Sequence, residues 1–368
     1  MNRLLKCLIE ILIMFGIYVV FDMPGTKKYI LIAILMLCFL IGGRKKKWKP
    51  EALICVSLPV AVYFLLGFLG TFINASEYVD TVKIVVFWTI PLLFAFSMYV
   101  FYGKEMSHIV DVQFIGSCLA YLIPKGRFIL ETITVESMFA YAYGAFFVYY
   151  IYKKRWAFCG IAAVLMLLTD KRIVVLAVVV AVFVHGFLWI FRNDKRIGIG
   201  IWAIASLIIN IYLSLIYSGT LQAIMEGIGI NTNGRIKMYG KITEWFGQKF
   251  FMVGQGLGIV EELLAAWRVE DFSNLHNDLL KFHIELGFAG LLLFLVSYGM
   301  IFYLIEKKYS ASAMNLFVSM AIYTMMLFAT DNVSIYIIYL VPVYSIYFAV
   351  LSEQKKENVS IGKCLKES

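Results

Sequence analysis

The chain has 368 residues, of which 62% are hydrophobic and only 15% charged, with a formal charge of +9. A mean hydropathy of +0.83 excludes a water-soluble globule, which could not hide this much apolar surface. The apolar runs are continuous rather than alternating, which argues against a membrane β-barrel. The basic residues are spread over loops rather than gathered on one face with base-stacking aromatics, so nucleic acid is not an expected partner.

Taken from the N-terminus, apolar runs are predicted as membrane helices at 4–22, 29–43, 52–73, 84–102, 109–123, 138–152, 156–169, 173–191, 197–217, 279–305, 312–329 and 335–351. About 20 residues cross a bilayer, so the expectation is an all-α, polytopic membrane helix bundle of about 12 transmembrane helices, a single domain over 1–368. The first run carries Glu10 and ends at Phe21-Asp22-Met23-Pro24 without a small-residue cleavage site, which reads as a retained helix. Basic clusters lie at Arg44 to Lys49, at Lys153-Lys154-Arg155, at Arg192 to Arg196, at Lys307-Lys308 and in the tail. They fall on alternate loops. With the N-terminus inside, every one of them is cytoplasmic, including the tail at 352–368. Six cysteines are scattered, five in apolar segments and one in the tail, so no disulfide framework or zinc spacing is expected.

One connection differs from the rest. Residues 218–278 form a long extracytoplasmic loop inserted between membrane helices, and loops of that length usually have a purpose. Within it Met238, Tyr239, Ile242, Trp245 and Phe246 share one helical face, and Val260, Leu263, Leu264 and Trp267 share another. Both stretches read as short amphipathic helices, either resting on the membrane surface or tiling the bundle. Gly254-Gln255-Gly256-Leu257-Gly258 lacks the strand and the sixth-position glycine of a nucleotide loop. It reads as a tight turn that brings backbone close to a glycan or phosphate.

Lys125 and Arg127, then Asp170-Lys171-Arg172, then Arg235, His276 and Asn277 all fall on the outer side by this topology. Outward cations run against the positive-inside trend and call for an anionic partner. A headgroup-level pyrophosphate suits guanidinium groups, which grip phosphate oxygens with paired hydrogen bonds. Each arginine alone reads equally as a snorkelling surface residue. His276 is the candidate for proton transfer, because an imidazole can take a proton from an attacking hydroxyl. It also reads as part of a helix start, with Asn277 or Asp278 as the N-cap. His283 follows seven residues later, two turns on and on almost the same face, with Glu285 near. That spacing could hold a metal, but two histidines without a third sure ligand are weak evidence for one. Glu285 is expected to pair with an arginine, since an unpaired carboxylate is costly in hydrocarbon.

The stretches "NGRIKMYGKITEW", "VGQGLG" and "HNDLLKFHIELGFAGLLLF" together resemble the O-antigen polymerase and ligase superfamily, the Wzy-type polymerases and lipid A-core O-antigen ligases. The shared core falls on Arg235, Trp245, Gly254, Gly256, Gly258, His276, Asn277, Glu285, Gly287 and Gly290. "TDKRIVVLAV" resembles the family's Ser-Arg helix opening at Arg172, with Lys171 where a serine is common. The resemblance covers Thr169 to about Phe294.

What the resemblance implies is a C-type glycosyltransferase-like bundle in the cytoplasmic membrane of a bacterium, with an outward-facing site and no cofactor or metal. Donor and acceptor would be undecaprenyl-pyrophosphate-linked oligosaccharides, with membrane lipids and other polysaccharide assembly proteins as further partners. Arg172 and Arg235 would bind pyrophosphate with Arg127. His276 would activate the acceptor hydroxyl, and Asn277, Glu285, Gly254 and Gly256 would line the substrate. A polysaccharide polymerase is the favoured activity. A ligase moving the finished glycan to another acceptor is the alternative, and a lipid-linked oligosaccharide flippase is a third reading disfavoured by charges that collect at the rim. Transfer activity in purified membranes should survive a strong chelator; its loss, with recovery on adding a divalent ion, would reopen a metal role for His276 and His283.

Overall fold

The computed structural model describes residues 3–25, 27–43, 49–74, 79–132, 135–191, 195–229, 235–246, 252–267 and 275–353. Among them all regular structure is helical. The first half holds α1 (Arg3–Asp22), α2 (Lys27–Gly43), α3 (Pro50–Ile73), α4 (Val79–Tyr102), α5 (Met106–Thr132), α6 (Phe139–Lys153), α7 (Trp156–Leu168) and α8 (Arg172–Ile190). Then come α9 (Lys195–Tyr217), three short helices, α10 (Thr220–Gly227), α11 (Arg235–Trp245) and α12 (Ile259–Trp267), and finally α13 (Asp278–Lys308), α14 (Ala311–Phe328) and α15 (Ile337–Glu353). Each of the twelve expected segments coincides with a helix. Among the described residues, seven candidate spans are long and apolar enough to cross a membrane, and α2, α7 and α15 are shorter apolar helices.

Apolar character all round a helix suits either a protein interior or lipid, and the bundle uses both. α6, α14 and α15 are buried on almost every face. Around them α1 packs on α5, α2 on α4, α3 on α13, α4 on α15 and α8 on α14. The outer helices leave large apolar side chains such as Phe72, Phe183 and Ile204 uncovered, as a lipid-facing surface requires.

Polar contacts sort the two ends of the bundle. At one end Lys153 pairs with Glu353 (2.5 Å), Lys308 with Glu51 (3.8 Å) and Arg155 with Asp111, and Lys49 Nζ donates to Leu351 O (3.3 Å). At the other end Tyr121 OH donates to Val135 O and Leu168 O, Lys125 Nζ to Ser137 Oγ, and Asn74 Nδ2 to Gly254 O. Lys49, Lys153, Arg155 and Lys308 thus belong to the first end, and residues 252–258 of the long connection lie at the second.

The short helices of that connection tile the bundle. Met238, Tyr239 and Ile242 of α11 are buried, with α11 packed on α9, whereas Trp245 of the same expected stripe is exposed. Val260, Leu263 and Leu264 of α12 are buried, with α12 packed on α13.

Residues 252–258 enter the bundle through a break in α13. Gly287 has φ 73° and ψ 176°, so the helical ladder stops there and backbone groups on both sides lose their partners. The inserted chain replaces them. Gln255 N–H donates to Ile284 O (2.9 Å), Gly256 N–H to Glu285 O (3.1 Å), and Ala289 N–H to Met252 O (3.2 Å). Such repair is what makes irregular backbone tolerable at membrane depth. It also leaves no room for side chains. A Cβ on Gly254 would stand 2.0 Å from Glu285 O, and one on Gly256 2.6 Å from Thr71 Cα of α3. Gly254→Ala should therefore lower the melting temperature of the detergent-purified protein or abolish its folded peak on size exclusion, a cost at or above the usual ~1–3 kcal/mol of overpacking. Gly16→Ala, in α1 where nothing lies within 4 Å of the added methyl, should be neutral or mildly stabilising in the same assay.

Candidate active site

The chain leaves α14 through a tight turn in which Thr330 N–H and Asp331 N–H both donate to Leu327 O. That turn aims the Asp331 side chain into the bundle end, where it is buried. Asp331 Oδ1 lies 2.9 Å from His276 Nδ1 and accepts from Asn332 N–H at 2.8 Å. Oδ2 accepts from Tyr141 OH of α6 and lies 3.9 Å from Lys171 Nζ, just before α8. Burial alone would raise this carboxyl. The hydrogen bonds of His276, Tyr141 and Asn332, with the Lys171 charge, outweigh it and hold the pKa down at about 2. The stabilisation tied to this ionisation is present above the ordinary carboxyl range and lost only as pH falls through about 2, so at neutral pH Asp331 is a carboxylate.

An ionised carboxylate only accepts, so the bond to Asp331 requires His276 Nδ1 to carry its proton. The neutral ring then has its lone pair on Nε2. The His276 side chain keeps 30% of its surface open. Its backbone sits in the left-handed region (φ 52°), uncommon for a residue with a side chain and maintained only where surroundings enforce it. Tyr239 OH of α11 donates to His276 O at 3.0 Å. On the other side Asn277 caps α13, its Oδ1 accepting from Leu280 N–H (2.9 Å), while its Nδ2 donates to Tyr212 OH (2.9 Å). Helix α13 therefore begins at Asp278, with His276 outside it, and the seven-residue spacing to His283 does not put the two rings on one helical face. His283 instead meets Tyr217 OH through Nδ1 at 2.8 Å.

Arg235 opens α11, and its Nη1 donates to Thr330 O (3.1 Å), the residue before Asp331. Lys171, Arg235 and His276 thus converge on one turn. Arg172 is exposed in the first turn of α8, next to Lys171. The side chain of Arg127, within α5, lies outside the described residues. Tyr336 stacks on Tyr141 at 5.7 Å and 20°, walling the site with rings.

Three expected substrate contacts are placed elsewhere. Glu285 is buried inside α13 and does not pair with an arginine: it accepts from Tyr63 OH (2.5 Å) and Gly258 N–H (2.9 Å) and lies 4.0 Å from Lys281 Nζ. Those partners supply the compensation that a carboxylate needs in hydrocarbon. Gly254 and Gly256 are buried against α3 and α13, so their missing side chains serve protein packing rather than an open ligand surface.

Sequence reasoning missed Asp331, Tyr141 and the contacts of Lys171. The available signal for Asp331 was Thr330-Asp331-Asn332 itself, an acidic turn on the same outer side as the arginines. Assembled, the site presents a proton acceptor at His276 Nε2 beside fixed cations, a combination that can deprotonate a hydroxyl while holding an anion.

No curated protein and no solved structure matches the chain. A family model described as O-antigen ligase matches residues 137–295, a stretch that contains Tyr141, Lys171, Arg172, Arg235 and His276. This match supports membership of the O-antigen polymerase and ligase superfamily, and the long apolar helices suit a multi-pass membrane protein.

Proposed function

We propose that the protein is a polysaccharide polymerase, transferring a growing glycan from undecaprenyl pyrophosphate to a sugar hydroxyl of a new lipid-linked repeat unit. Membrane lipids and other polysaccharide assembly proteins are its partners. The bundle crosses a bacterial cytoplasmic membrane twelve times in a C-type glycosyltransferase-like arrangement. In this reading the site faces outward, which is supported by its position at the end opposite Lys49, Lys153, Arg155 and Lys308. The observation that carries this reading is the His276 ring held by Asp331 next to Arg235 and Lys171.

In this mechanism His276 Nε2 accepts the proton of the acceptor hydroxyl as its oxygen bonds to the anomeric carbon. The carbon–oxygen bond to pyrophosphate breaks at the same time, and its electrons leave on the phosphate. Asp331 stabilises the imidazolium that forms, and Arg235 with Arg172 neutralises the departing pyrophosphate. Attack opposite the leaving group inverts the anomeric centre. Pyrophosphate departs without activation by a metal because the guanidinium charges are already in place. A ligase is the second reading, favoured by the description of the matching family model; it differs only in the acceptor.

Purified protein given one lipid-linked repeat unit should yield a ladder of products. No reaction until a different acceptor is added would make it a ligase, and movement of the lipid without any transfer would overturn both readings. His276→Ala should abolish the ladder at normal protein abundance, and Asp331→Asn should cut the rate by about 10²-fold or more, the span of one general base. A full ladder from either variant would remove that residue from the mechanism. Arg235→Lys should lose most activity despite the retained charge, because a single ammonium cannot supply the paired hydrogen bonds of a guanidinium; wild-type turnover would reduce Arg235 to a surface cation.

A further inference from the structure

Lys171 has carboxylates on two sides. Toward the interior it faces Asp331 at 3.9 Å and lies 5.9 Å from the Tyr141 ring centre. Toward solvent it contacts Glu136. The two partners of this outer pair are unequal: the Lys171 side chain is 19% exposed and the Glu136 side chain 70%. Lys171 is held in place from beneath, whereas Glu136 reaches it from outside.

The backbone that delivers Glu136 is tied down. Val135 N–H donates to Leu168 O (2.9 Å), Tyr121 OH donates to the carbonyls of both residues, and Lys125 Nζ donates to Ser137 Oγ (3.1 Å). A fixed loop thus offers an exposed carboxylate to a semi-buried ammonium at the rim of the site. Exposed ion pairs are worth little, and a ligand of higher charge on the same side displaces one readily. The local charges fit such an exchange. With Glu136 in place Lys171 has carboxylates on both sides; with Glu136 turned to solvent its outer side is open to another anion, with Arg172 next in sequence.

We propose that Lys171 is a diphosphate-binding cation of this site, and that the Glu136 carboxylate occupies the anion's position until the lipid diphosphate displaces it. This rests on the donor reading above and adds to it a binding residue and an internal competitor. Lys171 thereby supplies the charge nearest the His276–Asp331 pair, and Glu136 sets how tightly product pyrophosphate is retained after transfer. No bond is made or broken in the exchange, only one anion for another on the same ammonium.

The test measures binding of undecaprenyl pyrophosphate to the detergent-purified full chain by thermophoresis. Glu136→Gln should tighten binding about two- to fivefold, the range of an exposed ion pair. Lys171→Met should weaken it about tenfold, as loss of one charged hydrogen bond does, and adding Glu136→Gln to Lys171→Met should restore nothing. A merely structural Glu136 would give unchanged or weaker binding in Glu136→Gln, and either outcome overturns the proposal. Because Glu136 is at the surface, that variant remains informative even if Lys171→Met fails to fold. If wild-type protein binds the probe, Arg235→Lys weakens it, and both new variants match wild type, the donor reading stands and this proposal falls. If wild-type protein does not bind the probe, both fall.

Discussion

A single carboxylate, buried at the mouth of a membrane bundle, depends on what surrounds it to stay ionised. Asp331 is stripped of most of its water and would favour the neutral form on that account alone. It remains charged because a ring N–H, a phenol, a backbone amide and an ammonium all address it. Those donors come from four separate places in the chain. The carboxylate therefore acts as a tie among α6, the lysine before α8, the histidine before α13 and its own turn after α14. Removing its charge would leave every one of those donors facing an acceptor that no longer answers them.

Hydrocarbon imposes the second constraint, that each backbone and side-chain polar group find a partner within the protein. The break at Gly287 satisfies it in an unusual way, since the carbonyls released by α13 are taken up by an incoming chain rather than by the helix itself. The same insertion delivers Gly258 N–H to the Glu285 carboxylate. Helix α13 is thus both a membrane helix and one wall of a small backbone seam. The seam holds residues 252–258, which lead directly into α12.

Membrane helices were legible in the sequence because lipid permits few alternatives: 173–191 was expected and Arg172–Ile190 is found, 312–329 was expected and Ala311–Phe328 is found. That Arg235, His276 and Asn277 are candidate site residues was legible from their order in the one long outer loop. What those residues touch was not. An apolar stripe on α11 suits a membrane surface as well as a protein surface, and only tertiary packing decides between them. Gly-x-Gly signals a close approach without naming its object, which here includes α3, some 180 residues earlier in the chain. Asp331 carried only a weak local mark, because a short acidic turn between two hydrophobic runs is an ordinary helix connection. Its role arises from partners 55 and 190 residues away in sequence.

That separation has a consequence for biogenesis. Ribosomes deliver the chain from its N-terminus, so Tyr141, Lys171, Arg235 and His276 are all in or near the membrane before the α14–α15 hairpin is made. Until that hairpin inserts, the Asp331 hydrogen bond that fixes the His276 tautomer is missing. Of the contacts described above, only those of the earlier helices are available, such as Tyr239 to the His276 carbonyl. The candidate site is therefore complete only once this last hairpin has joined the earlier helices.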